Sequence, residues 1–211
     1  MSENMGTVKS ERGKNTKEKI LKAAQELIAE HGYKGASIRK IAKAVGIRES
    51  AIYNHFKNKE EIFQTIMKEL FSTPFSNFFE RKPVSEHALK GKKFLYEYAA
   101  SIKLVSFDKT NEKMFRIILI ELMQNRDVRE SFLKYFYEDN IKKLAEAFFV
   151  MMQNSLIRSS DPMLMAQEFF APIFYYRIHI TLLRLDEKPT TTLSTMFEKH
   201  VDFFWESVSI D

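Results

Sequence analysis

Apolar residues recur along most of this chain at the spacing of an α-helix. The first such stripe consists of Ile20, Leu21, Ala24, Leu27 and Ile28, which share one helical face. Asn15 and Glu18 have the spacing of a capping box in front of this stripe, and Gly32 follows it. The pattern predicts a helix that begins at Asn15 and ends at Gly32, preceded by a flexible basic arm over residues 1–14.

Two short helices are predicted next. Ser37 is a capping residue type, and the apolar positions behind it are spaced i, i+3, i+4 and i+7, at Ile38, Ile41, Ala42 and Val45. A further helix is expected from about Arg48 to His55, with Ile52 and Phe56 packed inward. Because the turn between the two helices contains a glycine, this segment has the sequence shape of a helix-turn-helix.

The remainder of the chain shows only helical periodicity. Asn58 and Glu61 form another capping box, and helices are predicted over residues 59–72, 85–105, 111–124, 127–155, 161–185 and 190–207. Four prolines lie at or near the predicted gaps, namely Pro74, Pro83, Pro162 and Pro189. Pro172 instead lies inside a helical pattern and predicts a kink. The predicted fold class is all-α.

Composition supports this fold class and narrows the chemistry. The chain of 211 residues has 6 glycines and 5 prolines, too few for the tight turns of a many-stranded sheet. The absence of cysteine excludes disulfides and thiolate zinc sites, and it suits the reducing cytoplasm in which we expect the protein. No apolar run approaches the ~20 residues that a membrane span needs, so no membrane partner is expected.

The positive charge of the chain is concentrated in its first third. Residues 1–64 carry 13 lysines and arginines against 8 acidic residues, whereas residues 65–211 carry 20 of each sign. The net charge of +5 therefore belongs entirely to the segment with the predicted helix-turn-helix. A basic segment of this kind is typical of a domain that neutralises phosphates, although a solvated basic surface without a partner would have the same composition.

Residues 16–63 resemble the DNA-binding segment of the TetR family of transcriptional regulators, most specifically in the stretches EHGYKGASIRKIAKAVGI and AIYNHFKNKEEIF. The resemblance implies a three-helix DNA-binding domain, here residues 15–60, and a larger helical ligand-binding and dimerisation domain, here residues 61–211. It further implies a homodimer on a near-palindromic operator in double-stranded DNA, most often a repressor, that is released by a small, largely hydrophobic effector.

The resemblance and the chemistry of helix ends together select the residues expected to contact DNA: Ser37, Arg39, Arg48, Glu49, Ser50, Tyr53, Asn54, His55 and Lys59. Ser37 is expected to meet a phosphate, to cap its helix, or to do both. Arg48 suits a guanine and Glu49 a cytosine. Many relatives have a serine at the Arg48 position and a very small residue at the Ser50 position, so no operator sequence is carried over from them.

Three of these residues have further arguments. Tyr53 and His55 match the aromatic residue and the histidine with which the family contacts phosphates, although a partly buried structural tyrosine is the alternative for Tyr53. Lys59 lies in the first turn of a helix, where a cation opposes the helix dipole. A phosphate bound at that helix end would make the positive charge of Lys59 favourable there.

Candidates for an effector site come from aromatic, methionine and embedded polar residues of the second domain: Phe71, Tyr98, Phe115, Arg116, Glu121, Phe148, Met152, Phe174, Arg177 and His179. Aromatic stripes at helical spacing are more often packed core than pocket lining. The polar members, such as Arg177 within FYYRIHITLL, are able to anchor the polar end of a ligand. An ion pair or hydrogen bond between helices is the competing interpretation for each of them.

The last two predicted helices resemble in position the pair through which the family dimerises. Phe197, Val201, Phe204 and Trp205 form one apolar face of the last helix and are predicted to lie at the interface, although packing inside one chain would give the same pattern.

An enzymatic function finds no support in the sequence, because it contains no HExxH, GxSxG or glycine-rich phosphate loop. We therefore predict that the chain is not an enzyme and needs no cofactor or metal. Two alternatives stay open, namely a regulator controlled by a protein or not controlled at all, and a general DNA binder with little sequence preference.

Overall fold

The computed structural model describes residues 4–79 and 83–210, with side chains described for residues 15–69, 83–135 and 138–210. Within these ranges the chain forms twelve α-helices and one π-helical segment. The same residues contain no β-strand, and the only extended pairing among them is a single bridge between Ile157 and Ser209. The predicted all-α fold class is confirmed.

The first four helices build the N-terminal unit: α1 spans Asn4–Gly35, α2 Ile38–Val45, α3 Glu49–Tyr53 and α4 Lys59–Phe79. Helix α1 packs against α2 and α4, and α2 packs against α3. The inward positions predicted from periodicity are buried, including Ile20, Ala24, Ile28, Ile41, Ile52 and Phe56. The four helices therefore occur in the predicted order.

The second domain continues with helices α5 Val84–Ala88, α6 Lys92–Phe107, α7 Lys109–Leu122 and α8 Arg126–Ser131. The π-helical segment Phe132–Glu138 follows and leads directly into α9 Asp139–Gln153. The last helices are α10 Pro162–Leu185, α11 Thr191–Ser194 and α12 Met196–Val208. Asp161 caps α10, and Pro162 lies in the first turn of this helix.

Several predicted helix boundaries are wrong. The single helices predicted over residues 85–105 and 190–207 are each divided, into α5 and α6 and into α11 and α12. Helix α1 begins at Asn4 and not at Asn15, so the backbone of residues 4–14 is helical where a flexible arm was expected. This stretch is rich in lysine, arginine and glutamate, which are good helix formers, and its weak apolar periodicity concealed them. Helix α4 continues through Pro74 to Phe79, although a proline normally disfavours the helix interior.

Two other predicted helix features have different outcomes. Gly32 does interrupt α1, with φ 72° and ψ 170°, because glycine tolerates a positive φ. Helix α10 runs without a break across Pro172. The kink expected at this proline stays a prediction.

Helix α10 organises the second domain by packing against α6, α7, α9 and α12. An aromatic cluster around Phe169 lies at its centre, with ring centroids 5.9 Å away for Tyr98, 5.9 Å for Phe148 and 5.0 Å for Phe204. Offset aromatic packing of this kind contributes specific stabilisation in addition to burial. The phenylalanine-rich composition is therefore used mainly to build core.

The apolar face predicted for the dimer interface instead packs within the chain. Phe197 and Val201 are 0% exposed and Phe204 is 7% exposed. Trp205 is half-buried, and its ring packs against Gly91. A Cβ atom added at Gly91 would lie 3.1 Å from the nearest atom of that ring. The prediction of an exposed face at these four residues is wrong, because helical periodicity shows which residues share a face but not what covers that face.

A different face of the same two helices is exposed. Leu164, Ala171, Tyr175 and Leu182 form an exposed stripe along α10, and Phe203 on α12 is 73% exposed. A groove of about 350 Å³ between the two helices includes Leu164 and Phe203 in its lining.

Across the described ranges, no helix combines the length and the apolar character that crossing a membrane requires.

Candidate nucleic-acid interface

The turn between α2 and α3 depends on capping at both ends of α2. The Ser37 side chain accepts a hydrogen bond from the Lys40 backbone N–H at 3.3 Å, and Ser37 itself is extended, as an N-cap residue should be. Gly46 ends the helix in the left-handed region at φ 75°, and its N–H donates to the carbonyl oxygens of Ala42 and Lys43. These caps set the direction in which α3 leaves the turn.

Helix α3 presents most of the predicted contact residues on one side. Ile52 is fully buried beneath the helix, whereas the residues at its start and outer side are exposed, namely Arg48, Glu49, Ser50, Tyr53 and Asn54. Arg48 precedes the helix without a side-chain cap hydrogen bond, in line with the replacement of a capping serine by arginine. Its guanidinium is therefore not committed to capping this helix end.

Tyr53 is 55% exposed, which argues against the alternative of a buried structural tyrosine. His55 is half-buried beside it, and Arg39 and Ser37 are exposed at the start of α2. Eight of the nine predicted contact residues thus lie at the start of α2, along α3 or immediately next to α3. This is the arrangement in which one helix meets backbone phosphate and the next meets base edges.

Lys59, the ninth residue, has a structural role that the sequence did not predict. Its Nζ donates to the carbonyl oxygens of Tyr33 at 3.0 Å and Ala36 at 3.1 Å, and lies 4.0 Å from the centroid of the Tyr33 ring. These contacts tie the start of α4 to the connection between α1 and α2. They explain a lysine in the first turn of a helix without a phosphate, because carbonyl oxygens and an aromatic face stabilise its charge.

A chain of side-chain hydrogen bonds connects this unit to the second domain. Tyr33 Oη donates to Glu60, Glu60 accepts from Gln64 Nε2 at 2.8 Å, and Gln64 accepts from Ser131 Oγ. The pKa of Tyr33 is raised, mainly by burial and secondly by the hydrogen bond to Glu60, so its hydroxyl keeps its proton. The sequence did not predict this series of hydrogen bonds, because no local pattern indicates that residues 27 to 67 positions apart will meet.

The candidate effector residues separate into several locations. Tyr98 and Phe148 belong to the core cluster around Phe169, and the side chain of Phe71 lies outside the described residues. Four others are half-buried, namely Arg116 and Glu121 on α7, Met152 on α9 and His179 on α10. Phe115, Phe174 and Arg177 lie together in a second group.

Arg177 has an unusual environment. It is 3% exposed, and its guanidinium carbon lies 4.1 Å from the centroid of the Phe115 ring. Its Nε and Nη2 atoms have no hydrogen-bond partner within the part of the chain that the structure describes. The ion pair that sequence reasoning considered for Arg177 is absent from that part. Burial lowers the pKa of Arg177 to about 10, so the group remains charged at neutral pH.

Comparison with known proteins agrees with this arrangement. A family model described as bacterial regulatory proteins of the tetR family matches residues 20–66. The solved structure of the transcriptional regulator FadR from Bacillus subtilis, in complex with stearoyl-CoA, is 25% identical, aligns with 88% of this chain and 96% of its own, and gives a TM-score of 0.67. The helix-turn-helix segment is therefore similar to that of the tetR family. All nine predicted DNA contacts lie inside the matched segment.

Curated relatives match this chain over part of its length. The HTH-type transcriptional repressor AcnR of Corynebacterium efficiens is 40% identical over 55 residues, which are 26% of this chain and 29% of the relative. The fatty acid metabolism regulator protein of Bacillus subtilis is 35% identical over 91 residues, 42% of this chain and 45% of the relative. The matches thus span less than half of either relative. Both are named as regulators and neither as an enzyme.

Proposed function

We propose that this chain is a transcriptional regulator, most simply a repressor, that binds a near-palindromic operator as a homodimer and dissociates when an effector occupies its second domain. The observation that carries the proposal is the face of α3, where Arg48, Glu49 and Tyr53 are exposed above the buried Ile52. The excess positive charge of residues 1–64 supports it, because phosphate neutralisation provides much of the affinity for DNA. Such a function belongs in the cytoplasm, where bacterial DNA is found.

The exposed stripe of α10 and Phe203 of α12 support dimerisation. Leu164, Tyr175 and Leu182 recur at helical spacing around the small Ala171, and a small central residue allows two helices to approach closely. Two copies joined through this face would form a four-helix bundle from α10 and α12 of each chain. A twofold axis then relates the two α3 helices and explains an inverted repeat in the operator.

The second domain supports control by a small molecule through its chemistry. Phe115, Phe174 and Phe132 form an aromatic group beside the buried Arg177. Apolar walls with one polar group that fixes orientation are characteristic of small-molecule sites. Control by a partner protein, in contrast, would not require a charged group in the interior.

The test is binding of the full-length protein to labelled DNA from upstream of its own gene, measured by fluorescence anisotropy at physiological salt with random-sequence competitor. We expect nanomolar, competitor-resistant binding in the wild type. Arg48→Ala should weaken specific binding by about tenfold or more and relax preference at one base position. Tyr53→Phe should weaken binding to all sequences alike.

Lys93→Ala removes one positive charge from an exposed site on α6 and serves as the matched control, which should bind like the wild type. Equal affinity for upstream and random DNA, with a strong dependence on salt, would instead identify a general DNA binder.

A further inference from the structure

The unpartnered edge of Arg177 is the strongest unexplained feature of the second domain. A guanidinium that is 3% exposed has lost its hydration, and two of its three nitrogens find no acceptor among the described residues. Buried polar groups in folded proteins are almost always hydrogen-bonded, and an unpaired buried charge is strongly destabilising. A cation–π contact with Phe115 offsets part of this cost but satisfies none of the N–H groups.

The position of the two free atoms indicates what they would bind. Nε–H and the neighbouring Nη2–H lie along one edge of the planar guanidinium and point in parallel directions. This fork matches the two oxygens of a carboxylate or of a phosphate group. Because the Phe115 ring already covers one face of the guanidinium, an anion has to approach in the guanidinium plane, along the free edge.

The surroundings indicate what the anion would be attached to. Phe174 packs on Phe115 with centroids 5.9 Å apart, and Phe132 packs on Phe174 at 6.1 Å. No described carboxylate contributes to the pKa shift of Arg177, for which burial is the only cause. Among the described residues, the environment therefore combines a positive charge that has no carboxylate partner with aromatic rings, which is complementary to a molecule with one anionic end and an apolar body.

We propose that the effector is an anionic amphiphile whose carboxylate or phosphate oxygens accept hydrogen bonds from Nε and Nη2 of Arg177. This inference rests on the proposed function and makes it more specific, because it assigns the charge of the effector and the residue that recognises it. Since Nε and Nη2 of Arg177 have no partner among the described residues, binding of such an effector would relieve the cost of burying them.

The binding test uses one apolar tail with different ends. Dodecanoate, dodecyl phosphate, dodecanoyl-CoA and the uncharged methyl dodecanoate are titrated calorimetrically, below their micelle concentrations, into full-length wild type, Arg177→Met and Arg129→Met. Arg129 is the control, since it is an exposed arginine on α8 whose guanidinium already donates to the carbonyl oxygen of Leu122. We expect an anionic probe to bind the wild type and Arg129→Met at least about tenfold more tightly than the methyl ester does, and to lose that advantage in Arg177→Met.

The two acid probes distinguish carboxylate from phosphate as the recognised group. The coenzyme A thioester, which carries phosphates but no carboxylate, shows whether distant phosphates suffice. Failure of every anionic probe to bind the wild type, equal binding of the ester, or binding by Arg177→Met within about twofold of the wild type would each overturn the proposal.

Stability without effector provides an independent measurement. Replacing an uncompensated buried charge with methionine should leave the thermal midpoint unchanged or raise it. A fall of several degrees would show that Arg177 is a structural residue and would overturn the proposal. Operator binding of the same samples is recorded separately. Specific operator binding without any response to anionic probes refutes only this inference, whereas anion binding without an operator refutes only the proposed function.

Discussion

His200 is a buried histidine whose environment favours the neutral ring. Its Nε2 donates to the carbonyl oxygen of Phe169 at 2.8 Å, and its ring stacks on that of Phe169 with centroids 5.4 Å apart. Burial lowers the pKa of His200 below the usual 6.5, and the hydrogen bond to Phe169 offsets this only in part. The unfolded chain therefore takes up a proton at a higher pH than the folded protein does.

This difference predicts a dependence of stability on pH. Between the lowered pKa and about 6.5 the unfolded state binds more protons, so the His200 contribution is fully present above about pH 6.5 and declines as the pH falls. Urea unfolding at pH 7.5 and pH 5.5 should show a smaller loss of stability for His200→Gln, which keeps a donor for Phe169, than for the wild type. Identical losses in the two proteins would contradict this account.

At the scale of single residues, sequence reasoning succeeded where the cause is local. The capping serine Ser37, the glycine-containing turn after α2 and the burial of Ile52 each follow from a few neighbouring residues. The contacts of Lys59 do not, because its carbonyl partners at Tyr33 and Ala36 are brought to it only by the packing of α1 and α4. Arg177 was recognisable as a candidate, but the sequence did not predict that its Nε and Nη2 would have no partner among the described residues.

At the scale of elements, the hydrogen-bond chain between Gln64 on α4 and Ser131 on α8 predicts energetic coupling between the two units. In a double-mutant cycle, Gln64→Ala and Ser131→Ala should show a coupling energy of about 1 kcal/mol in urea unfolding. Ser207→Ala on α12 is the control partner, because its hydroxyl donates to Phe204. Additive effects of Gln64→Ala and Ser131→Ala would mean that this hydrogen bond contributes nothing measurable to the connection.

Helical periodicity predicted the elements better than their surroundings. It identified α12 and the face that contains Phe197 and Val201, but assigned that face to a partner chain although α6 and α10 cover it. The pattern also failed to predict that α4 extends beyond Pro74. The tendency of proline to end a helix is a local rule and takes no account of the rest of the fold. Local rules thus predict faces and starts, while packing decides what they contact.

At the scale of the whole molecule, the exposed face of α10 and α12 predicts a dimer that depends on Phe203. Phe203→Glu should shift the protein from dimer to monomer in size-exclusion chromatography with light scattering at micromolar concentration. Operator affinity should fall by about tenfold or more, because each monomer reaches only one half-site. Met123→Glu, at an equally exposed apolar residue elsewhere, should remain dimeric. A dimeric Phe203→Glu would place the interface on another face.

The central claim is that this chain reads a DNA sequence as a symmetric dimer, and it is tested most directly by selection of operators from a random DNA library. The wild-type protein should enrich one inverted repeat whose half-sites are centred about 34–36 Å apart along the duplex or a multiple of that distance. Arg48→Ala should enrich the same repeat with relaxed preference at one position in each half-site. Selection that yields no enriched sequence, or an enriched site without inverted symmetry, would contradict the account.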